Sequence, residues 1–243
     1  MPLEARERRG GMPIRDSQQD RIDRALTKVL RHHPGVITVR PVLEIPNRVG
    51  FGLWPVSAAE PYKFLALDGH LTPDEVGTAV MALAACNDVD PTDDCPPRPD
   101  DPLGSFLHGL LTMDPLFAAG GLQVVDSVTG TRMVPGCCSG LEDRGDWWEV
   151  LDGGATAAWF GHDPSPAAEL HGSIVRLTAD SDTDNGQWIE VPSIELRRLL
   201  AGVERDLVDF LGLAAGWVTQ HLPDHSERVG DALVQALALP PRN

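Results

Sequence analysis

The sequence predicts an α+β fold, with a mixed or antiparallel sheet, helices packed on one side and a helical C-terminus. Three observations carry this. Short runs of β-branched residues with alternating polarity are scattered between residues 36 and 191. Capped helix starts recur among them, and the chain beyond residue 192 reads as helix. With 42% apolar residues in 243 positions, the chain can also bury a core without disulfide staples.

The elements follow in order. Residues 1–15 alternate charges around Gly10-Gly11 and read as a disordered tail. Asp16 caps a helix carrying Ile22, Leu26, Val29 and Leu30, which ends at His32-His33-Pro34-Gly35. Val36 to Ile45 reads as a strand, and Phe51–Val56 and Tyr62–Leu67 as two more. Thr72-Pro73-Asp74-Glu75 starts a helix reaching about Ala85. Thr caps it, Pro stands where a missing N–H costs nothing, and Glu reaches back to the cap. Residues 87–101 are acidic and Pro-rich, a loop or linker between an N-terminal part, 16–86, and a C-terminal part, 102–243. The two parts share one core or form two.

A short helix runs from Asp101 or Pro102 to Thr112. Leu122–Asp126 and Thr131–Val134 flank a turn whose Gly130 takes positive φ. Ser139-Gly-Leu-Glu142 has the spacing of a capping box and opens a helix through Trp147, Trp148 and Leu151 that stops at Gly153-Gly154. Strands follow at 157–160, 173–178 and 187–191. Helices then run over 193–200 and 203–222, divided at Gly202. Asp224-His-Ser-Glu227 caps a last helix with Val229, Leu233 and Leu237 on one face.

The charge excludes some partners. Twenty Lys plus Arg against 36 Asp plus Glu leave −16, and the cations form no stripe, so nucleic acid and anionic membranes are not expected partners while a basic protein is. No apolar run reaches the roughly 20 residues of a membrane span, and the first residues lack a signal peptide's apolar stretch. A cytoplasmic location is expected. Cys86, Cys95, Cys137 and Cys138 contain no C-x-x-C, which argues against a disulfide framework and a thiolate zinc site.

Four constellations bear on chemistry. Cys138 precedes a predicted helix start, where the positive end of the dipole favours thiolate; with His162 and Asp163 folded beside it, a hydrolytic Cys-His-Asp set would follow. Packed thiols beside Gly136 are the plainer reading. His162 and Asp163 themselves lie in a Gly-His-Asp-Pro-Ser-Pro run, and adjacent residues on an extended segment point apart unless a turn intervenes. Asp180, Asp182 and Asp184 alternate as calcium ligands do, although the glycine and glutamate spacing fits a solvated hairpin tip as well. Trp147 and Trp148 cannot share one buried helical stripe, so at least one reads as a rim or partner-binding residue, with core packing as the plainer reading.

From residue 147 onward the order of features resembles the SUKH superfamily of cell-wall-assembly regulators and toxin-immunity proteins. The resemblance rests on the helix end W-W-E-V-L-D-G-G, the turn F-G-H-D-P-S-P, the strand V-R-L-T-A-D with its returning W-I-E-V, and the late helix E-R-D-L-V-D-F-L. It covers half the chain, and residues 16–86 have no counterpart in it. It implies protein binding without catalysis, an acidic surface neutralising a basic toxin, and it carries over no site residue. The expected function is a cytoplasmic, non-enzymatic binder of a basic protein, such as an immunity or regulatory factor. A cysteine hydrolase and a calcium-binding hairpin protein are the alternatives.

Overall fold

β1 (Ile37–Glu44) is the strand around which the first sheet is built. The computed structural model describes residues 36–89, 96–184 and 186–240; the helix expected from Asp16 lies outside them. β1 pairs with β3 (Gly120–Asp126) over seven residues, from Ile37 opposite Asp126 to Leu43 opposite Gly120. Its other edge takes β2 (Phe64–Ala66), and β4 (Arg132–Met133) closes the order β2-β1-β3-β4, all antiparallel. Pro41 has no N–H to give the ladder; it sits just beyond the β2 pairing and offers only its carbonyl, accepting from the Leu67 N–H at 2.9 Å.

Phe51–Val56, expected as a strand, is an irregular segment pinned to a helix. The Trp54 indole donates to the Gly77 carbonyl at 2.9 Å, and its ring stands edge-on to Phe51 and Trp217. That indole bond and the aromatic packing hold it where a ladder would otherwise be needed. Gly77 belongs to α1 (Pro73–Cys86), which starts as its sequence demands: Thr72 Oγ1 accepts the Glu75 N–H while Glu75 Oε2 accepts the Thr72 N–H at 2.8 Å. α2 (Pro102–Thr112) is capped by Asp101. Asn87, buried after α1, accepts from the Phe117 N–H at 3.0 Å and donates to the Phe117 carbonyl at 2.8 Å, fastening the chain that leads into β3.

A 3-10 turn (Leu141–Asp143) leads into α3 (Arg144–Asp152), which ends at Gly153 with φ 76°. Here the capping box expected from Ser139 and Glu142 is replaced. Asp143 reaches back, accepting from the Gly140 N–H at 2.9 Å and from Ser139 Oγ at 3.2 Å. The second sheet is a meander of β5 (Ala157–Trp159), β6 (Ala167–His171), β7 (Ile174–Thr178) and β8 (Trp188–Pro192), antiparallel throughout. β6 was not expected, because Ala-Ala-Glu-Leu-His carries little strand propensity; its neighbours on both sides impose the pairing.

α4 runs unbroken over Ser193–His221. The predicted division at Gly202 fails because a stripe from Leu196 through Leu200, Val203, Leu207 and Phe210 stays buried across it, outweighing the ~1 kcal/mol that a helical glycine costs. α5 (Ser226–Ala236) is entered through a 3-10 turn (Pro223–His225) with no side-chain cap from Asp224; Val229, Leu233 and Leu237 are buried as predicted.

The fold is α+β, with two four-stranded antiparallel sheets among the described residues. Residues on both sides of the 87–101 tract, such as Leu43, Val80, Leu177 and Phe210, share one hydrophobic core. Within it Arg144 is buried and bonded to Glu204 Oε1 at 2.9 Å, the Leu141 carbonyl at 2.9 Å and the Ala238 carbonyl at 2.8 Å. Among the described residues no helix is long and apolar enough to cross a membrane.

Candidate functional site at one end of the second sheet

Strand polarity decides where the candidate residues go. Trp159 ends β5, Ala167 begins β6, Thr178 ends β7 and Trp188 begins β8, so the β5–β6 loop and the β7–β8 turn emerge from the same end of the sheet. Cys137, Cys138, His162, Asp163, Asp180, Asp182 and Asp184 all lie in segments that meet there.

The segment before α3 joins this end by backbone pairing. The Gly136 N–H donates to the Phe160 carbonyl at 2.8 Å, the Cys137 N–H to the His162 carbonyl at 2.6 Å, and the His162 N–H returns to the Cys137 carbonyl at 3.2 Å. Only glycine fits at Gly136, where a Cβ would stand 2.2 Å from the Pro164 carbonyl oxygen and 2.5 Å from the His162 nitrogen. Gly161, at φ 98°, supplies the bend on the facing strand.

Held this way, one thiol from Cys137, one from Cys138 and a ring nitrogen of His162 lie within 4.8 Å of one another, all on exposed residues. The two sulfurs are 3.4 Å apart. Cys138 adopts φ 66° and Asp163 φ 50°. That turn brings His162 Nδ1 to 3.5 Å from Asp163 Oδ2, where an extended segment would have pointed the two apart. The Cys138–His162–Asp163 set is therefore gathered, but in the open: the His162 and Asp163 side chains are 60% and 94% exposed.

The expected activation by a helix N-terminus is not built. Five residues separate Cys138 from the first residue of α3, and the Asp143 carboxylate already meets the leading amide of Gly140. The Cys137 thiol is pushed above its ordinary range, first by its hydrogen bond and charge coupling with Cys138 and further by the negative charges of Glu44 and Asp163.

The aspartates of the β7–β8 turn have another task. Asp180 Oδ1 accepts from the Ser165 and Asp182 N–H groups, each at 3.2 Å, and Asp182 Oδ2 accepts from the buried Ser165 hydroxyl. Ser181 answers with two bonds to the Ser165 carbonyl. These contacts lace the turn to the β5–β6 loop, and Asp180, Asp182 and Asp184 form no converging triple of ligand oxygens among the described residues.

Trp147 is in the core, 2% exposed and stacked on Phe160 at 4.5 Å, which corrects its expected place at a partner surface. Trp148 is half-buried with Arg197 over its ring at 6.0 Å, a rim position. The exposed tryptophans are Trp159 at 63% and Trp188 at 52%. They share one cross-strand row, Trp159–Ala167–Thr178–Trp188, so both project from the outer face of the sheet. The signal was in the alternation of Trp188-Ile189-Glu190-Val191, whose even positions must face away from the buried Ile189 and Val191. Arg176 stacks over Trp188 at 5.0 Å and pairs with Glu190 at 2.9 Å.

The chain matches no family model, no curated protein and no solved structure.

Proposed function

We propose that the chain is a non-enzymatic, cytoplasmic protein-binding protein, and that the Trp159–Trp188 row takes a basic partner. The observation that carries this is the pair of exposed tryptophans on one row, flanked by Asp163, Asp180, Asp182, Asp184, Glu169 and Glu190. Tryptophan offers a large, rigid contact and dominates interface hot spots; Arg176 already lies over the Trp188 ring, so Trp188 contributes contact area rather than a free π-face. The surrounding carboxylates, in a chain of net charge −16, steer a cationic surface toward it and repel a phosphate backbone. On the resemblance to SUKH proteins, the partner would be a toxin that this protein neutralises.

Capture from the cell's own lysate, followed by reconstitution with the captured species purified, tests the reading. The wild-type chain should hold a basic protein at low salt and release it as salt rises, while W159A/W188A should bind at least about tenfold more weakly, the loss of one modest hot spot. Equal binding by both chains overturns it.

The approach of Cys138 to His162 favours a second reading, a thiol hydrolase with Cys138 as nucleophile and His162 as base. Alkylation of Cys138 across pH tests it: a reactive thiolate near pH 7 supports the hydrolase, and a rate no faster than free cysteine removes it.

A further inference from the structure

The sequence contains no paired-cysteine spacing of the zinc type, yet the fold assembles a thiol–thiol–imidazole cluster from two segments that are distant in the chain. We propose that Cys137, Cys138 and His162 form a binding site for a thiophilic d10 cation, with Zn2+ as its representative. This inference is independent of the tryptophan row and would stand if no protein partner were found.

Donor chemistry selects the cation. Two sulfurs and one imidazole nitrogen suit zinc and its soft neighbours, and they are poor ligands for calcium or magnesium, which want oxygen. Geometry allows it. Two thiolates on a tetrahedral zinc with Zn–S bonds of about 2.3 Å stand about 3.8 Å apart, close to the 3.4 Å between these sulfurs. The side chains are exposed and free to open by the remaining few tenths of an ångström.

Preorganisation comes from the backbone. The reciprocal Cys137–His162 hydrogen bonds hold the two segments in register, and the Gly136–Pro164 contact admits no side chain that would push them apart. Glu44 and Asp163 place negative charge beside the cluster, compensating a divalent ion. Each thiol that binds gives its proton to the solvent, so the site takes up one Zn2+, releases up to two protons and involves no electron transfer. Three protein donors leave the fourth tetrahedral position to water.

The test is a titration of the full reduced chain with Co2+, read by the near-ultraviolet thiolate-to-cobalt charge-transfer band, followed by displacement with Zn2+. One equivalent of Co2+ should raise the band and one of Zn2+ should abolish it. C137S/C138S should lose the band, and H162A should weaken Zn2+ binding by more than the roughly 10–100-fold that loss of a ligand-orienting group costs. C86S, which removes a half-buried thiol bonded to the Leu83 and Phe117 carbonyls, should leave both readings unchanged. H32A/H33A should do the same, because a histidine pair supplies no sulfur band. Circular dichroism confirms that each variant is folded. A band that never appears, that survives in C137S/C138S or that disappears in H32A/H33A overturns the proposal.

Discussion

The two sheets are both antiparallel and four-stranded, but their strands are covered differently. In β1, Val42 and Leu43 are consecutive and both 1% exposed, so both faces of the strand are covered. In β7 and β8 burial alternates: Val175, Leu177, Ile189 and Val191 are buried while Arg176, Glu190 and Trp188 face outward. A strand covered on both sides must be apolar on both, and it carries stability; a strand covered on one side keeps every second residue available for binding. Trp159 and Trp188 are exposed for that reason, whereas the cysteine, histidine and aspartate candidates lie in the loops at the end of that sheet.

Substitutions sharpen this contrast. The largest effect is expected in the first sheet, where Leu43→Ala should cost about 2–5 kcal/mol in a denaturant titration. Next is Arg144→Ala, which removes the pair with Glu204 and two carbonyl bonds near the junction of core elements. About 2–3 kcal/mol is expected, below the roughly 3–5 kcal/mol of a fully buried pair, because Glu204 is 38% exposed and regains water.

Glu142 gives a smaller, pH-dependent effect. Burial, reinforced by neighbouring Asp143, pushes its carboxyl above the ordinary range, and its Oε2 has no hydrogen-bond partner. The folded state then holds this proton more tightly than the unfolded state does. The group's stabilising contribution is full below the unfolded value of 4.5 and is lost as pH rises through the raised value. Glu142→Gln should therefore raise Tm at pH 7 and flatten the change in Tm across mildly acidic pH; a lower Tm at pH 7 contradicts this. The smallest effect is expected from calcium. With Asp180 and Asp182 already bonded to Ser165, millimolar Ca2+ should leave Tm unmoved, and a rise of several degrees would show that the turn opens to bind it.

Much of this fold was legible where local chemistry is self-sufficient. Thr72 to Glu75 specify their own helix start, and Asp126 to Thr131 their own turn, with Gly130 at φ 72°. Elements fixed by distant partners were not legible: β6 is imposed by β5 and β7, the 51–56 segment by Trp54 reaching α1, and the continuity of α4 by the core beneath it. The site divides likewise. The sequence named Cys138, His162 and Asp163 as a set that a turn would have to unite, and Gly161 and Asp163 supply that turn. It set at least one of Trp147 and Trp148 at a rim, the place Trp148 takes, but not which one, because a helix offers no local sign of which neighbour, here Phe160, will bury the other.

The contrast between the sheets is tested most directly by measuring unfolding and partner binding on the same variant, W159A/W188A. The double substitution should unfold within about 1 kcal/mol of wild type, as exposed positions do, while binding the purified partner at least about tenfold more weakly. Undiminished binding, or a loss of stability as large as that of Leu43→Ala, would contradict the division of labour between the two sheets.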